Sequence, residues 1–139
     1  MVYLGLDLGS KTLGVSVSDR TGIIASSLEV LRYNEYSDLL EKLDKIVEDR
    51  KVDVFVLGNP LNLNGTPSTR TEVSLEFKTI LEERYQKEVV MQDERLSTVS
   101  ANRLLISNDT KRKNRKKVVD KIAATIILQS YLDRRNNER

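Results

Sequence analysis

The start of the chain alternates cleanly. Val2, Leu4, Leu6 and Leu8 fall on one side of an extended strand, and Tyr3, Gly5, Asp7 and Gly9 fall on the other. LGVSVSD repeats the pattern, with Leu13, Val15 and Val17 opposed to Gly14, Ser16 and Ser18. Pairing the two apolar faces leaves Asp7 on a sheet face of glycines and serines, with room for a helix or a substrate to come close. Arg20-Thr21-Gly22 predicts a turn and residues 23–31 a third strand, giving an antiparallel meander. Leu39, Leu40, Leu43, Ile46 and Val47 recur at helical spacing over residues 35–50. VDVFVLG is apolar on both faces, as a central strand between two helical layers must be. A loop opened by Gly58-Asn59-Pro60 follows it. Then come a helix over 68–85 with Val73, Phe77, Ile80 and Leu81 inward, the strand EVVMQD, and a short helix over 97–106. A flexible basic loop near 108–117 and a helix from about 116 to 134 complete the chain. The order βββαβαβαα predicts a single α/β domain over residues 1–139. Its mixed five-stranded sheet has three antiparallel strands followed by parallel ones, joined by right-handed crossovers and flanked by helices.

Against this apolar pattern, a few acids are out of place. Asp7 interrupts a strand, Asp93 and Glu94 close another in VVMQDERLST, and Asp120 lies inside KKVVDKIAATIILQ. A carboxylate in such a setting is costly to bury without a cation or a hydrogen-bonding partner. On a helical wheel Asp120, Ala123, Ala124, Ile127 and Tyr131 share one side, whereas Lys121, Thr125 and Gln129 fall away from it. The two alanines would let this helix press against the small-residue face carrying Asp7, bringing two distant carboxylates together. The alternative for Asp120 is a dipole-favoured place near the helix N-terminus with a salt bridge to Lys116 or Lys117. Between Asp93 and Glu94 the sequence does not choose, since alternation puts them on opposite faces.

Composition narrows the chemistry. The chain has no cysteine and no histidine, which removes disulfides, thiolate and imidazole catalysis and His-based zinc sites. Carboxylate and other hard oxygen donors suit Mg2+ or Mn2+. No apolar stretch is long enough to span a bilayer, and MVYLGLDLGS lacks the features of a signal peptide, so a soluble cytoplasmic protein is expected. The net charge of +2 conceals a cluster of Lys111, Arg112, Lys113, Arg115, Lys116 and Lys117. As a bland reading this is a solvated charge run. Beside an acidic site it has a second reading, as a contact to a phosphate backbone that offsets carboxylate repulsion toward a polyanion.

Four segments, LGLDLGSKTLGVSVSD, VLGNPLNLNGTPS, QDERLST and VDKIAATIILQ, stand in the order and approximate spacing of the YqgF/RuvX family, which is similar to the Holliday junction resolvase RuvC. The resemblance covers nearly the whole chain and implies an RNase H-like fold with an acidic nuclease site. It implies cleavage of phosphodiester bonds, in maturation of the 5′ end of pre-16S rRNA or in resolution of branched DNA. Carried onto this chain, it makes Asp7, one or both of Asp93 and Glu94, and Asp120 the catalytic candidates. Asp7, Glu94 and Asp120 would be ligands to a pair of Mg2+ or Mn2+ ions. Lys11 and Arg95 join the basic cluster as candidate nucleic-acid contacts, although Arg95 can equally pair with Asp93 or Glu94. The chain departs from the family's usual pattern at Thr12, Asn59 and Asn64. Asn62, Asn64, Thr66 and Ser68 are either sugar-phosphate contacts or turn chemistry. The expected partner is structured RNA or branched DNA, bound by a monomer or a homodimer. A non-catalytic nucleic-acid-binding module is the competing class.

Overall fold

The computed structural model describes residues 1–60, 70–93 and 112–137, with the backbone alone over 112–121. Five strands, β1 (Tyr3–Leu8), β2 (Thr12–Ser18), β3 (Ala25–Arg32), β4 (Val54–Asn59) and β5 (Glu88–Asp93), form one sheet in the order β3-β2-β1-β4-β5. The β1–β2 and β2–β3 pairs are antiparallel, and the β1–β4 and β4–β5 pairs are parallel. The mixed sheet is therefore the one expected from the alternation of the first strands and the doubly apolar VDVFVLG. The turn at Arg20–Gly22 is closed by Asp19, whose carboxylate accepts from the N–H groups of Ile23 (3.0 Å) and Ile24 (3.2 Å). Gly22 there has a φ of 72°, which a Cβ would strain. The third strand starts two residues later than expected, at Ala25, and leaves Ile23 and Ile24 exposed.

Helices α1 (Tyr36–Arg50) and α2 (Thr71–Tyr85) cover one face of the sheet. Leu39, Leu40, Leu43, Ile46 and Val47 of α1 and Phe77 and Leu81 of α2 pack with Leu4, Leu6, Leu8, Leu13, Val15, Phe55 and Leu57. The inward set read from the sequence is the buried set, with Val73 and Ile80 only partly covered. A polar clamp joins the two helices at their outer edge, where Asp44 accepts from Arg84 Nε (2.8 Å) and the Tyr85 hydroxyl (2.6 Å). The Arg84 hydrogen bond holds the Asp44 carboxyl below its ordinary range, whereas burial pushes the Tyr85 phenol up.

Helix α3 (Arg112–Asn137) covers the other face. Tyr3, Val54 and Val56 meet Ile127, Leu128 and Leu132 there. It begins earlier than the expected residue 116, so 112–117 form its first turns and only 108–111 of the expected basic loop lie outside the described residues. Lysine and arginine are good helix formers, and such a run needs no apolar partner to join a helix. The expected short helix over 97–106 also lies outside the described residues. The inward face is wider than the wheel indicated, since Leu128 and Leu132 are fully buried beside Ala123, Ala124 and Ile127. Gln129, expected to fall away, reaches back to the edge strand, accepting from Ala25 N–H (2.8 Å) and donating to the Ile23 carbonyl (2.8 Å). No described helix is long and apolar enough to cross a membrane.

Candidate functional site

The parallel arrangement brings three strand ends together. Leu6 is level with Leu57, and Leu57 with Met91, so the next positions along the three strands, Asp7, Gly58 and Gln92, lie side by side. Pleating assigns them all to the α3 face. Gly5 and Tyr3 share that face with Asp7, Val56 shares it with Gly58, and Val90 shares it with Gln92. Across β2, Asp7 is opposite Gly14. Its half-buried carboxylate therefore has small neighbours in the sheet, as the alternation of β1 and β2 predicted.

How closely α3 approaches this face is set by Gly5. A Cβ on Gly5 would stand 2.7 Å from Leu128 Cβ and 2.9 Å from the Ala124 carbonyl oxygen, distances that carbon does not tolerate. Only glycine admits the helix here. The contact is fixed by the buried Ser16 hydroxyl, which donates to the Ala124 carbonyl at 2.7 Å. Further along α3, Tyr131 meets Tyr3 with ring centroids 5.9 Å apart, and Arg135 stands 5.2 Å from the Tyr3 ring centre. As α3 advances from 124 to 135 it thus runs from Gly5 back toward Tyr3, antiparallel to β1. Residue 120 precedes Ala124 by four positions, about 6 Å along the helix axis. Asp7 follows Gly5 by two, about 6.6 Å along the strand. The crossing consequently carries position 120 toward position 7, and 120 falls within the arc of α3 bounded by the buried positions 123 and 132.

The other acids divide differently. Asp93 is level with Asn59, and pleating places it with Val89 and Met91 on the α1–α2 face, away from Asp7. Gln92 occupies the Asp7 face instead. Glu94, Arg95 and Lys111 lie outside the described residues, as do the side chains of Asp120, Arg112, Lys113, Arg115, Lys116 and Lys117. Among the described residues no three acidic side chains converge as a metal site would require. Three buried polar atoms lack a hydrogen-bond partner among those residues: Asn59 Oδ1, Gln92 Oε1 and Thr125 Oγ1.

Two residues that no sequence pattern singled out fix the turn after Asp7. The Tyr33 hydroxyl donates to the Gly9 carbonyl at 2.7 Å, and the Tyr33 N–H donates to the Lys11 carbonyl at 3.0 Å. Arg70 donates to the Leu8 carbonyl at 3.2 Å. Burial raises the Tyr33 phenol above its ordinary value, which keeps its proton available for Gly9. Within the turn, Gly9 N–H donates to the Thr12 carbonyl at 2.7 Å. The backbone leading from Asp7 to Lys11 is thereby tied to β3 and to the start of α2, while the Lys11 side chain remains exposed.

Known proteins share this architecture. A protein of Bacillus licheniformis is 50% identical over 139 residues, covering 99% of this chain and 100% of its own, and its name is "Putative pre-16S rRNA nuclease". One of Bacillus subtilis with the same name is 47% identical over 98% of this chain and 100% of its own. The RuvC of Thermus thermophilus, solved in complex with a Holliday junction substrate, superposes with a TM-score of 0.58 at 13% identity, covering 97% of this chain and 96% of that one. The fowlpox virus resolvase in complex with Holliday junction DNA gives 0.56 at 14% identity, covering 96% and 98%. Identities this low establish the shared fold alone, the RNase H-like fold of the resolvases. Residues 1–134 match the family described as "RuvX: Holliday junction resolvase", and the chain belongs to that family.

Proposed function

We propose that this protein is a metal-dependent endonuclease that trims the 5′ end of pre-16S rRNA, with Asp7, Glu94 and Asp120 as its acidic site. The observation that carries this reading is the crossing of α3 over Gly5, which brings position 120 toward Asp7 on a face kept open by Gly14, Ser16 and Gly58. Glu94 is preferred to Asp93 because pleating places Asp93 with Val89 and Met91 on the face away from Asp7. The names of relatives at 47% to 50% identity supply the substrate class.

The donor chemistry fits a hard divalent cation. Carboxylates are the strongest donors in the inventory, and the buried Gln92 Oε1 is an acceptor facing the same side with no donor among the described residues. Asp7, Glu94 and Asp120 would hold Mg2+ or Mn2+, which supplies charge neutralisation at the scissile phosphate and acidifies the attacking water. The chain's own residues perform the rest. Ser16 and Gly5 hold α3 at the distance that sets Asp120 relative to Asp7. Tyr33 and Arg70 fix the turn that aims Lys11 at the incoming backbone. Arg95 supports the neighbouring carboxylates or a phosphate. The first turn of α3 contains no acid, and Arg112–Lys117 load its positive end with more cations, an arrangement that a polyanion relieves.

The family's description and the shared fold favour a second substrate, four-way DNA junctions. The test compares magnesium-dependent cleavage of a precursor 16S RNA and of a synthetic junction side by side, with Asp7→Asn and Asp120→Asn as controls. Cleavage of the RNA that both substitutions abolish is the expected result. Preferred cleavage of the junction would transfer the proposal to DNA. Full activity in the double variant would remove the site.

A further inference from the structure

Beyond the acidic site, the same end of the sheet carries a basic cleft of whose cations the proposed chemistry uses only Lys11. Lys11, Arg32, Tyr33, Asn34, Asp38 and Lys42 line about 380 Å³ of open space between the β1–β2 turn and the start of α1. Three cations face one carboxylate there. Lys42 is already oriented, donating to the Arg32 carbonyl at 2.7 Å and standing 3.6 Å from Asp38. That pair offsets the only acid lining the cleft among the described residues and leaves Lys11 and Arg32, both exposed, as its surplus charge. The acid next along the chain, Glu35, opens onto the neighbouring cleft with Arg70. The floor is rigid, since Tyr33 binds the backbone of both Gly9 and Lys11.

Strand register gives the cleft a fixed position relative to Asp7. Asp7 is level with Gly14, and Arg32 is level with Thr12, so Arg32 is two strands over and two residues up. At about 4.8 Å per strand and 3.3 Å per residue the separation is roughly 12 Å. We infer that this cleft is a second phosphate-binding station, which grips the RNA strand a few nucleotides from the scissile bond on the β3 side of Asp7. The basic start of α3 grips the strand elsewhere. This deepens the nuclease reading and rests on it for the identity of the strand.

The experiment measures binding of a fluorescein-labelled RNA spanning the precursor–mature 16S junction by anisotropy, in EDTA so that nothing is cut, across a series of KCl concentrations. The groove variant is Lys11→Gln/Arg32→Gln/Lys42→Gln. A charge-matched control, Arg20→Gln/Arg50→Gln/Lys51→Gln, alters the opposite end of the sheet, where these residues line a separate cleft. Losing the two phosphate contacts of Lys11 and Arg32 to a single strand lowers the salt slope by about 1.4 and the affinity about 25-fold at 0.1 M KCl. The control is expected to stay within about threefold of wild type. Binding by the groove variant within twofold of wild type would overturn the proposal. So would an equal loss in the control, or wild-type binding that ignores salt. Should the triple variant not fold, Arg32→Gln alone is expected to lower the slope by about 0.7, and an unchanged slope overturns the proposal. Separately, wild-type protein that binds with this groove dependence but cuts nothing would sink the nuclease reading and leave the cleft standing.

Discussion

Gly5→Ala is the smallest perturbation of the helix–sheet crossing, and its effect can be worked from the structure. The added Cβ would lie 2.7 Å from Leu128 Cβ and 2.9 Å from the Ala124 carbonyl oxygen. Comfortable carbon contacts start near 3.5 Å, so the shortfall against Leu128 is about 0.8 Å. Neither neighbour can rotate away, one being a backbone atom and the other a Cβ held by its own helix. The Ser16 Oγ stands closer still, so the strain is relieved only by lifting α3 and turning the Ser16 hydroxyl aside, which breaks its 2.7 Å bond to the Ala124 carbonyl. Overpacking of this kind costs about 1–3 kcal/mol, and the lost buried hydrogen bond about 1 kcal/mol more. Reduced freedom of the unfolded chain returns about 0.4–1 kcal/mol. A net loss of about 2 kcal/mol should lower the urea midpoint by about 1 M. Because a 1 Å misplacement costs on the order of a hundredfold in rate, cleavage measured on folded protein should fall by that order. Leu128→Ala retains the Cβ and should not rescue Gly5→Ala. A Gly5→Ala protein with wild-type midpoint and wild-type cleavage would refute the reasoning.

Further outcomes follow from other contacts. Ser16→Ala removes the hydroxyl without adding bulk, so it should cost about 0.5–1.5 kcal/mol in urea titration and affect cleavage less than Gly5→Ala. Tyr33→Phe deletes the bond to the Gly9 carbonyl; a loss of about 1 kcal/mol and a lower kcat with little change in KM are expected. Since Asp44 is held below its ordinary value by Arg84, its contribution is complete well above about pH 4 and is lost as pH falls through its depressed folded value. The stability difference between wild type and Asp44→Asn should therefore shrink between about pH 6 and about pH 2; a constant difference would deny the linkage. Lys51 closes α1 in the left-handed region with a φ of 52°. Lys51→Gly should leave stability unchanged or raise it by up to about 1 kcal/mol by denaturant titration.

Much of the fold was legible because its central strands are apolar or small-residue on both faces and its first two helices bury one side each. Alternation in β1 and β2 and the apolar run of β4 carry their own facing, and the close approach of Ala124 to Gly5 follows from the size of both. The same logic placed Asp7 on the face that meets α3. It failed where a contact does not repeat along the chain. Tyr33 and Arg70 act on carbonyls 24 and 62 residues away, and no spacing encodes such a bond. Gln129 was misread because a wheel scores polarity, whereas its long amide satisfies two backbone groups of the edge strand. Leu128 and Leu132 were missed because a helix lying across a broad sheet buries a wider arc than one fitted into a groove. The facing of Asp93 needed register, which ties it to Asn59 and thereby to the far face.

The central claim, that Asp7 and Asp120 act together on one cation site, is tested most directly by equilibrium binding of Mn2+ followed by electron paramagnetic resonance. The measurement compares wild type, Asp7→Asn, Asp120→Asn and the double variant, all shown to be folded. Shared ligation predicts that each single substitution weakens Mn2+ binding nearly as much as the pair does. Losses that simply add, or binding unchanged by either substitution, would contradict it.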